Sequence, residues 1–153
     1  DVKGNILHID EAVLREAASA LPDSIDVEPI LEEIRQERIF ASWTDDERAL
    51  LKQLRSGETV VVTLRGSHNN LIGWADAAGL YVRIDRRGPW GNPFELPGDG
   101  DRDTVIANYE NHYLPYKPSL LDQLHELKGK ALGCWCAPEP CHGDVLKNGA
   151  DEL

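Results

Sequence analysis

Residues 128–148 read KGKALGCWCAPEPCHGDVLKN. A basic-glycine turn leads into Ala131–Cys136, which has the length and apolar character of a buried strand. Ala137-Pro138-Glu139-Pro140 is a turn, and a helix begins near Cys141. A strand running through a short turn into a helix is the joint of an α/β fold. The same grammar repeats upstream. Thr59–Leu64 (TVVVTL) is short and β-branched, as a buried strand should be. Asn69–Gly79 carries Leu71, Ile72, Trp74, Ala75 and Ala78 at helical spacing. Leu80–Ile84 is a further strand. Asp101 or Asp103 opens a helix with Val105, Ile106, Tyr109 and Tyr113 on one face. Pro115 and Pro118 interrupt it, and Ser119 caps a helix bearing Leu120, Leu121, Leu124 and Leu127. Strands alternating with helices predict right-handed crossovers and a short, mainly parallel sheet in a three-layer, Rossmann-like α/β domain over residues 57–153.

Residues 1–56 read differently, as a helical N-terminal segment. Asp10 caps a helix with Val13, Leu14, Ala17, Ala18 and Leu21 on one stripe, and Pro22-Asp23-Ser24 ends it. Val27, Ile30, Leu31 and Ile34 mark a second helix. Thr44 and Glu47 form a capping box for a third, with Leu50, Leu51 and Leu54 inward, and Ser56-Gly57 stops it.

The chain has 153 residues and a net charge of −11. Proteins that grip duplex DNA by counterion release present a basic face, so this balance disfavours duplex DNA as a partner of this domain alone. A local basic patch can still hold a small anion, which favours a nucleotide or another phosphate-bearing small molecule. No apolar run approaches the roughly 20 residues that cross a bilayer, and residues 1–20 are acidic and helical rather than signal-like. No membrane association is expected, and the expected location is cytoplasmic. The sequence starts at Asp1 and contains no methionine, which reads as a piece of a larger protein. All three cysteines fall within eight residues, a pattern of reducing compartments and local thiol or metal sites.

In open α/β sheets ligands sit beyond the carboxyl ends of the strands. Three loops should meet there: Arg65–His68, Asp85–Phe94 and Cys136–Asp144. The last contains the cluster Cys134, Cys136, Cys141, His142 and Asp144. Cys134 and Cys136 share one strand face, and Trp135 points to the other, expected to be core. Three readings stand beside one another. Zinc is one cofactor this set suggests, with Cys134, Cys136, Cys141 and His142 as a Cys₃His ligand group, although C-x-C-x₄-C-H is not knuckle spacing. Catalysis is another. Cys141 at a helix N-terminus would be an activated thiol, with His142 as base and Asp144 beside them. The third is that the cysteines, Cys134 above all, are small buried hydrophobes. Whether the protein is an enzyme stays open between these.

The loop after the second strand adds Arg83, Arg86 and Arg87. Arg86, Arg87 and Arg102 suit phosphate, Trp90 could stack on a base and Asn92 could read its edge. The alternative is that WGNPF is a tight turn with Trp90 and Phe94 as anchors. Asp101 reads best as a helix cap. Tyr109, His112 and Tyr113 read as core and rim, and His8, His68 and His125 carry little signal.

WGNPF, GDRDTVIANYENHYLP and LKGKALGCWCAPEPCHGDVL together resemble an uncharacterised bacterial and phage domain family with a WGNPF … CWCxPxxCHxD signature, over about residues 80–148. The resemblance implies a compact α/β domain, often in mobile-element proteins and sometimes beside ParB-like domains. It thereby implies a nucleotide- or nucleobase-processing role in nucleic-acid metabolism or DNA modification. A non-catalytic, zinc-stabilised binding or interaction module of a larger ParB-like protein is the alternative. The start of the last helix is also similar to a second small α/β family with a strand followed by Cys-His-Arg, but Gly143 stands here where that family has arginine.

Overall fold

The computed structural model describes residues 11–22 and 24–153. The Asp10 cap, His8 and Asp23 of the first turn lie outside them, as does the side chain of Ala18. The chain divides into two compact units, residues 1–43 and 44–153. The Thr44 capping box begins the second unit.

In the first unit, α1 (Glu11–Ala18) and α2 (Glu28–Phe40) form where the helical spacing predicts. Arg15 donates to Glu28 at 2.6 Å, and Phe40 meets Trp43 edge to face with centroids 4.7 Å apart. Of the stripe residues, Leu31 is buried, while Val13, Leu21 and Ile30 are exposed.

The second unit opens with α3 (Asp45–Arg55). Thr44 Oγ1 accepts the Glu47 N–H and the Glu47 carboxylate accepts the Thr44 N–H, both at 3.1 Å. Glu47 does more than cap. Buried, it also accepts the Leu71 N–H at 2.8 Å and an Asn70 amide hydrogen at 3.2 Å. These bonds hold the carboxyl below its ordinary value despite its burial. One carboxylate thus ties α3 to α4 (Asn69–Ala77).

The sheet is β1 (Val60–Thr63), β2 (Tyr81–Arg83) and β3 (Ala131–Cys134), in the order β1-β3-β2 and all parallel. Ala131 stands level with both Val60 and Tyr81, and Leu132 with Val61 and Val82. This is the small parallel α/β sheet that the alternation implied. Gly133 is a glycine because Tyr81 lies across it: a Cβ there would come within 2.6 Å of the Tyr81 hydroxyl.

Between β2 and β3 run α5 (Arg102–Asn108), a π-helical turn at Tyr109–Tyr113, a 3₁₀ turn at Leu114–Tyr116, α6 (Pro118–Gln123) and a second 3₁₀ turn at Leu124–Leu127. Asp101 caps α5 by accepting the Thr104 N–H at 2.8 Å. Ser119 does not cap α6, which starts one residue earlier at Pro118 with no side-chain cap. The final helix is α7 (His142–Asp151). Leu132 and Cys134 of β3, Ile84 directly after β2, Leu146 and Ala150 of α7, and Tyr109, Leu120, Leu124 and Leu127 of the connection form one buried cluster. Leu71 and Ala75 of α4 and Leu51 and Leu54 of α3 are buried as well. With β3 in the centre, the loops after β2 and β3 emerge side by side, which sets the position of the site.

Candidate functional site

Beyond the carboxyl ends of β2 and β3 lies a cavity of about 460 Å³, within the size range of small-molecule sites. Its walls come from the β2 loop (Asp85, Arg86, Arg87, Asn92, Phe94, Leu96), from α5 (Arg102, Val105, Ile106) and from the β3 loop (Cys134, Trp135, Cys136, Pro140, Cys141, His142). Two of the three expected loops meet there. Arg65–His68 takes no part, and His68 is buried instead, accepting the Thr63 N–H on Nδ1 at 2.9 Å and donating from Nε2 to Asp46 at 2.5 Å.

The β2 loop is rigid by construction. Arg86 donates to the carbonyls of Asn92 (2.9 Å) and Phe94 (3.1 Å). Asn92, nearly buried, donates to the Val105 carbonyl and accepts the Phe94 N–H, both at 3.0 Å. Gly91 permits the tight approach of the strands of this loop, since a Cβ would lie 2.6 Å from Arg86 Cα. Trp90 is 5 % exposed and sits in the core, its carbonyl accepting the Tyr109 hydroxyl at 2.8 Å. Trp90 therefore does not present its ring to a ligand, and Asn92 reads no ligand edge with polar atoms already engaged in the loop. Both are anchors. Arg83 pairs with the buried Asp85 through Nε (2.9 Å) and Nη2 (2.8 Å), which holds the Asp85 carboxyl below its ordinary value. Arg87 is exposed on the cavity rim and has no ion pair among the described residues.

The β3 loop reverses one expectation. Trp135 is 49 % exposed rather than core, and it lines the cavity. Its indole donates to Asp85 at 3.0 Å, and the Arg83 guanidinium stands 5.9 Å from its ring centroid. Trp135 directly follows the last residue of β3, and its ring stands at the cavity instead of in the core. Trp135 is the aromatic group at the cavity that sequence reasoning assigned to Trp90. Asp85, which fixes it, was also missed. Its only signal was its position directly after a strand.

Cys141 is the N-cap of α7. Its Sγ accepts the Gly143 N–H at 3.2 Å, and the Asp144 carboxylate returns a bond to the Cys141 N–H at 3.0 Å. Asp144 is thus a capping-box partner, exposed and away from the cavity lining. Cys134 Sγ lies 3.1 Å from Cys141 Sγ, and both are buried. The hydrogen bond between the two thiols draws Cys134 down to about 6, and Cys141, facing a neighbouring sulfur anion and shielded from water, is pushed up. Cys136 is half-buried and interacts with the Arg102 guanidinium, which also donates to the Pro140 carbonyl (3.1 Å) and pairs with Glu139 (2.7 Å).

His142 turns away from the thiols. It is 7 % exposed, and its Nε2 donates to the Ile84 carbonyl at 2.7 Å, with the Tyr109 ring 4.9 Å away. A carbonyl can only accept, so Nε2 carries the proton and Nδ1 keeps its lone pair. No hydrogen bond to Nδ1 exists among the described residues, and the ring borders the cavity. The expected Cys141–His142 nucleophile–base pair is therefore not hydrogen-bonded: each side chain has a different partner. The Cys₃His ligand set does not assemble either. No group of three or more His, Cys, Asp or Glu side chains among the described residues has the arrangement to hold a metal ion. The physical reason is that the His142 ring is turned to the Ile84 carbonyl.

Burial disfavours the charged form of His142 and lowers its pKa. Below an ordinary histidine value of about 6.5 the unfolded chain takes up a proton that the folded chain resists. This contribution to stability is complete above that pH and declines as the pH falls beneath it. Urea midpoints at pH 7.5 and 5.5 should show the loss. His142→Gln, whose amide still donates to Ile84, should flatten the slope; an unchanged slope would contradict it.

A family model described as "Domain of unknown function (DUF4326)" matches residues 64–152, a span that contains β2, β3, α5, α7 and every wall of the cavity. An Enterobacteria phage T4 protein, described as an uncharacterized 12.4 kDa protein in the nrdA-td intergenic region, is 32 % identical over 75 residues, covering 47 % of this chain and 68 % of its own length. No solved structure matches.

Proposed function

The chain belongs to the DUF4326 family, and within that frame we propose that the β2–β3 cavity binds a nucleotide-sized ligand carrying a phosphate and a planar base. The observation that carries this reading is that an exposed aromatic ring and an exposed guanidinium with no ion pair among the described residues line the same cavity: Trp135 and Arg87. A base stacks on the former, and a phosphate oxygen accepts from the latter. Phe94, Leu96 and Ile106 supply apolar walls for the body of the ligand. His142 Nδ1 accepts from an N–H or O–H of the ligand. Arg86 and Arg102 add positive potential while their own bonds hold the loops in place. A role in nucleic-acid metabolism in a mobile-element setting, beside ParB-like domains in some proteins, accords with this reading, and the phage relative supports the setting.

Calorimetric titration with nucleoside monophosphates, nucleosides and inorganic phosphate tests the reading. The nucleotide should bind more tightly than either half alone. Arg87→Glu should weaken nucleotide binding at least about tenfold, roughly 1.4 kcal/mol, and leave nucleoside binding nearly unchanged. No heat and no thermal shift with any nucleotide at millimolar concentration would refute it.

A further inference from the structure

Cys134 ends β3 and Cys141 starts α7, with the Pro138–Pro140 turn between them. Their sulfurs nevertheless meet at 3.1 Å as free thiols, and both face the cavity. A third thiol, Cys136, borders the same cavity. We propose that Cys134 and Cys141 are a dithiol–disulfide exchange centre that reduces small disulfides admitted through this cavity.

Three observations support the assignment. The Gly143 N–H donates to Cys141 Sγ at 3.2 Å, and the backbone N–H groups of Ala137 and Cys136 favour the anionic form of Cys134. The Arg102 guanidinium stands beside Cys136 and places positive charge near Cys141 as well. The pair is also ready in geometry, needing to close by only about 1 Å to reach the S–S bond length of about 2.05 Å.

The exchange balances as follows. The Cys134 thiolate attacks one sulfur of R–S–S–R, forming a Cys134–S–S–R mixed disulfide and releasing RS⁻. That thiolate takes the proton of Cys141. The Cys141 thiolate then attacks Cys134 Sγ, forming the Cys134–Cys141 disulfide and expelling the second RS⁻, which is protonated by solvent. Two electrons pass from the two protein thiols to the external disulfide, which leaves as two thiols. The low pKa of Cys134 and the raised one of Cys141 divide the roles of attacking thiolate and proton-holding partner in the same sense.

The test uses the full chain and 2-hydroxyethyl disulfide at neutral pH, followed by intact mass and alkylation of the denatured protein. The expected product is lighter by two hydrogens and retains one alkylatable cysteine, Cys136. Peptide mapping should join Cys134 to Cys141, and dithiothreitol should restore all three thiols. Cys136→Ser should react in the same way, which separates the pair from the more accessible thiol. Cys141→Ser should stop at a mixed disulfide on Cys134. If that variant does not fold, the wild type and Cys136→Ser decide. Retention of three alkylatable thiols after prolonged exposure would overturn the proposal. So would a stable adduct confined to Cys136 with the other two thiols free. Neither outcome depends on whether the cavity binds nucleotides.

Discussion

Replacing Trp90 with alanine is expected to destabilise the α/β unit by about 3–5 kcal/mol, the usual loss for deleting a buried large aromatic side chain. Trp90 is buried in the same cluster as Ile84, Tyr109, Leu132 and Leu146, so the void would open at the centre of the unit rather than at its margin. The effect should also spread. The Trp90 carbonyl receives the Tyr109 hydroxyl, and the residues that follow, Asn92 and Phe94, form a wall of the cavity. Urea unfolding read by circular dichroism should show a midpoint lowered in proportion, with ligand affinity falling alongside because the Arg86–Asn92 staple loses its footing. A change below about 1 kcal/mol would show that Trp90 is not the anchor of this loop.

Replacing Trp135 with alanine should do the reverse. The side chain is half-exposed, so removing it should alter stability only modestly, within the range of about 1 kcal/mol common for substitutions outside the core. Nucleotide affinity should nevertheless fall by about 1–3 kcal/mol, the value of one base–aromatic stack by alanine substitution. Trp135→Phe should recover part of it, since a smaller ring still stacks but cannot donate to Asp85. The two tryptophans thus separate cleanly, Trp90 acting on folding and Trp135 on binding. Equal losses of stability in both variants would contradict the assignment.

The exchange of roles between these residues shows where local sequence stops being informative. The strands at 59–64, 80–84 and 131–136 were legible because short β-branched or apolar runs between glycine-rich turns have few alternatives, and all three form within a residue or two of their expected bounds. The Thr44–Glu47 box was legible because its partners are three residues apart. Period-two alternation predicts a core position for Trp135, but β3 ends at Cys134 and Trp135 is exposed at the cavity. What alternation cannot supply is whether a helix covers a given side at a given height along the strand, because that depends on contacts between distant segments. Trp135 is exposed for that reason, and Trp90 is buried in one cluster with Tyr109 and Leu114 of the turns that follow α5.

The internal wiring of the cysteine cluster was not legible in the sequence. Cys141, His142 and Asp144 are neighbours in sequence, but a helix start sends their side chains to different partners: Cys141 to Cys134, His142 to the Ile84 carbonyl, and Asp144 back to the Cys141 N–H. The Ile84 contact lies 58 residues away in sequence, beyond the reach of any spacing rule. A cysteine N-cap also escaped the usual signature of serine, threonine, aspartate or asparagine. The cationic loop divided in the same manner. Arg86 went to backbone carbonyls and Arg83 to Asp85, and the guanidinium left without an ion pair among the described residues is Arg87.

The claim at the centre of this account is that a nucleotide occupies the β2–β3 cavity with its base on Trp135 and its phosphate at Arg87. Titration of the ¹⁵N-labelled chain with a nucleoside monophosphate, followed by two-dimensional NMR, tests it most directly. The Trp135 indole N–H and the backbone amides of Arg87, Cys136 and His142 should shift together along one saturating curve, while the Arg65–His68 loop stays still. Spectra unchanged at millimolar nucleotide, or shifts centred on residues 65–68, would contradict it.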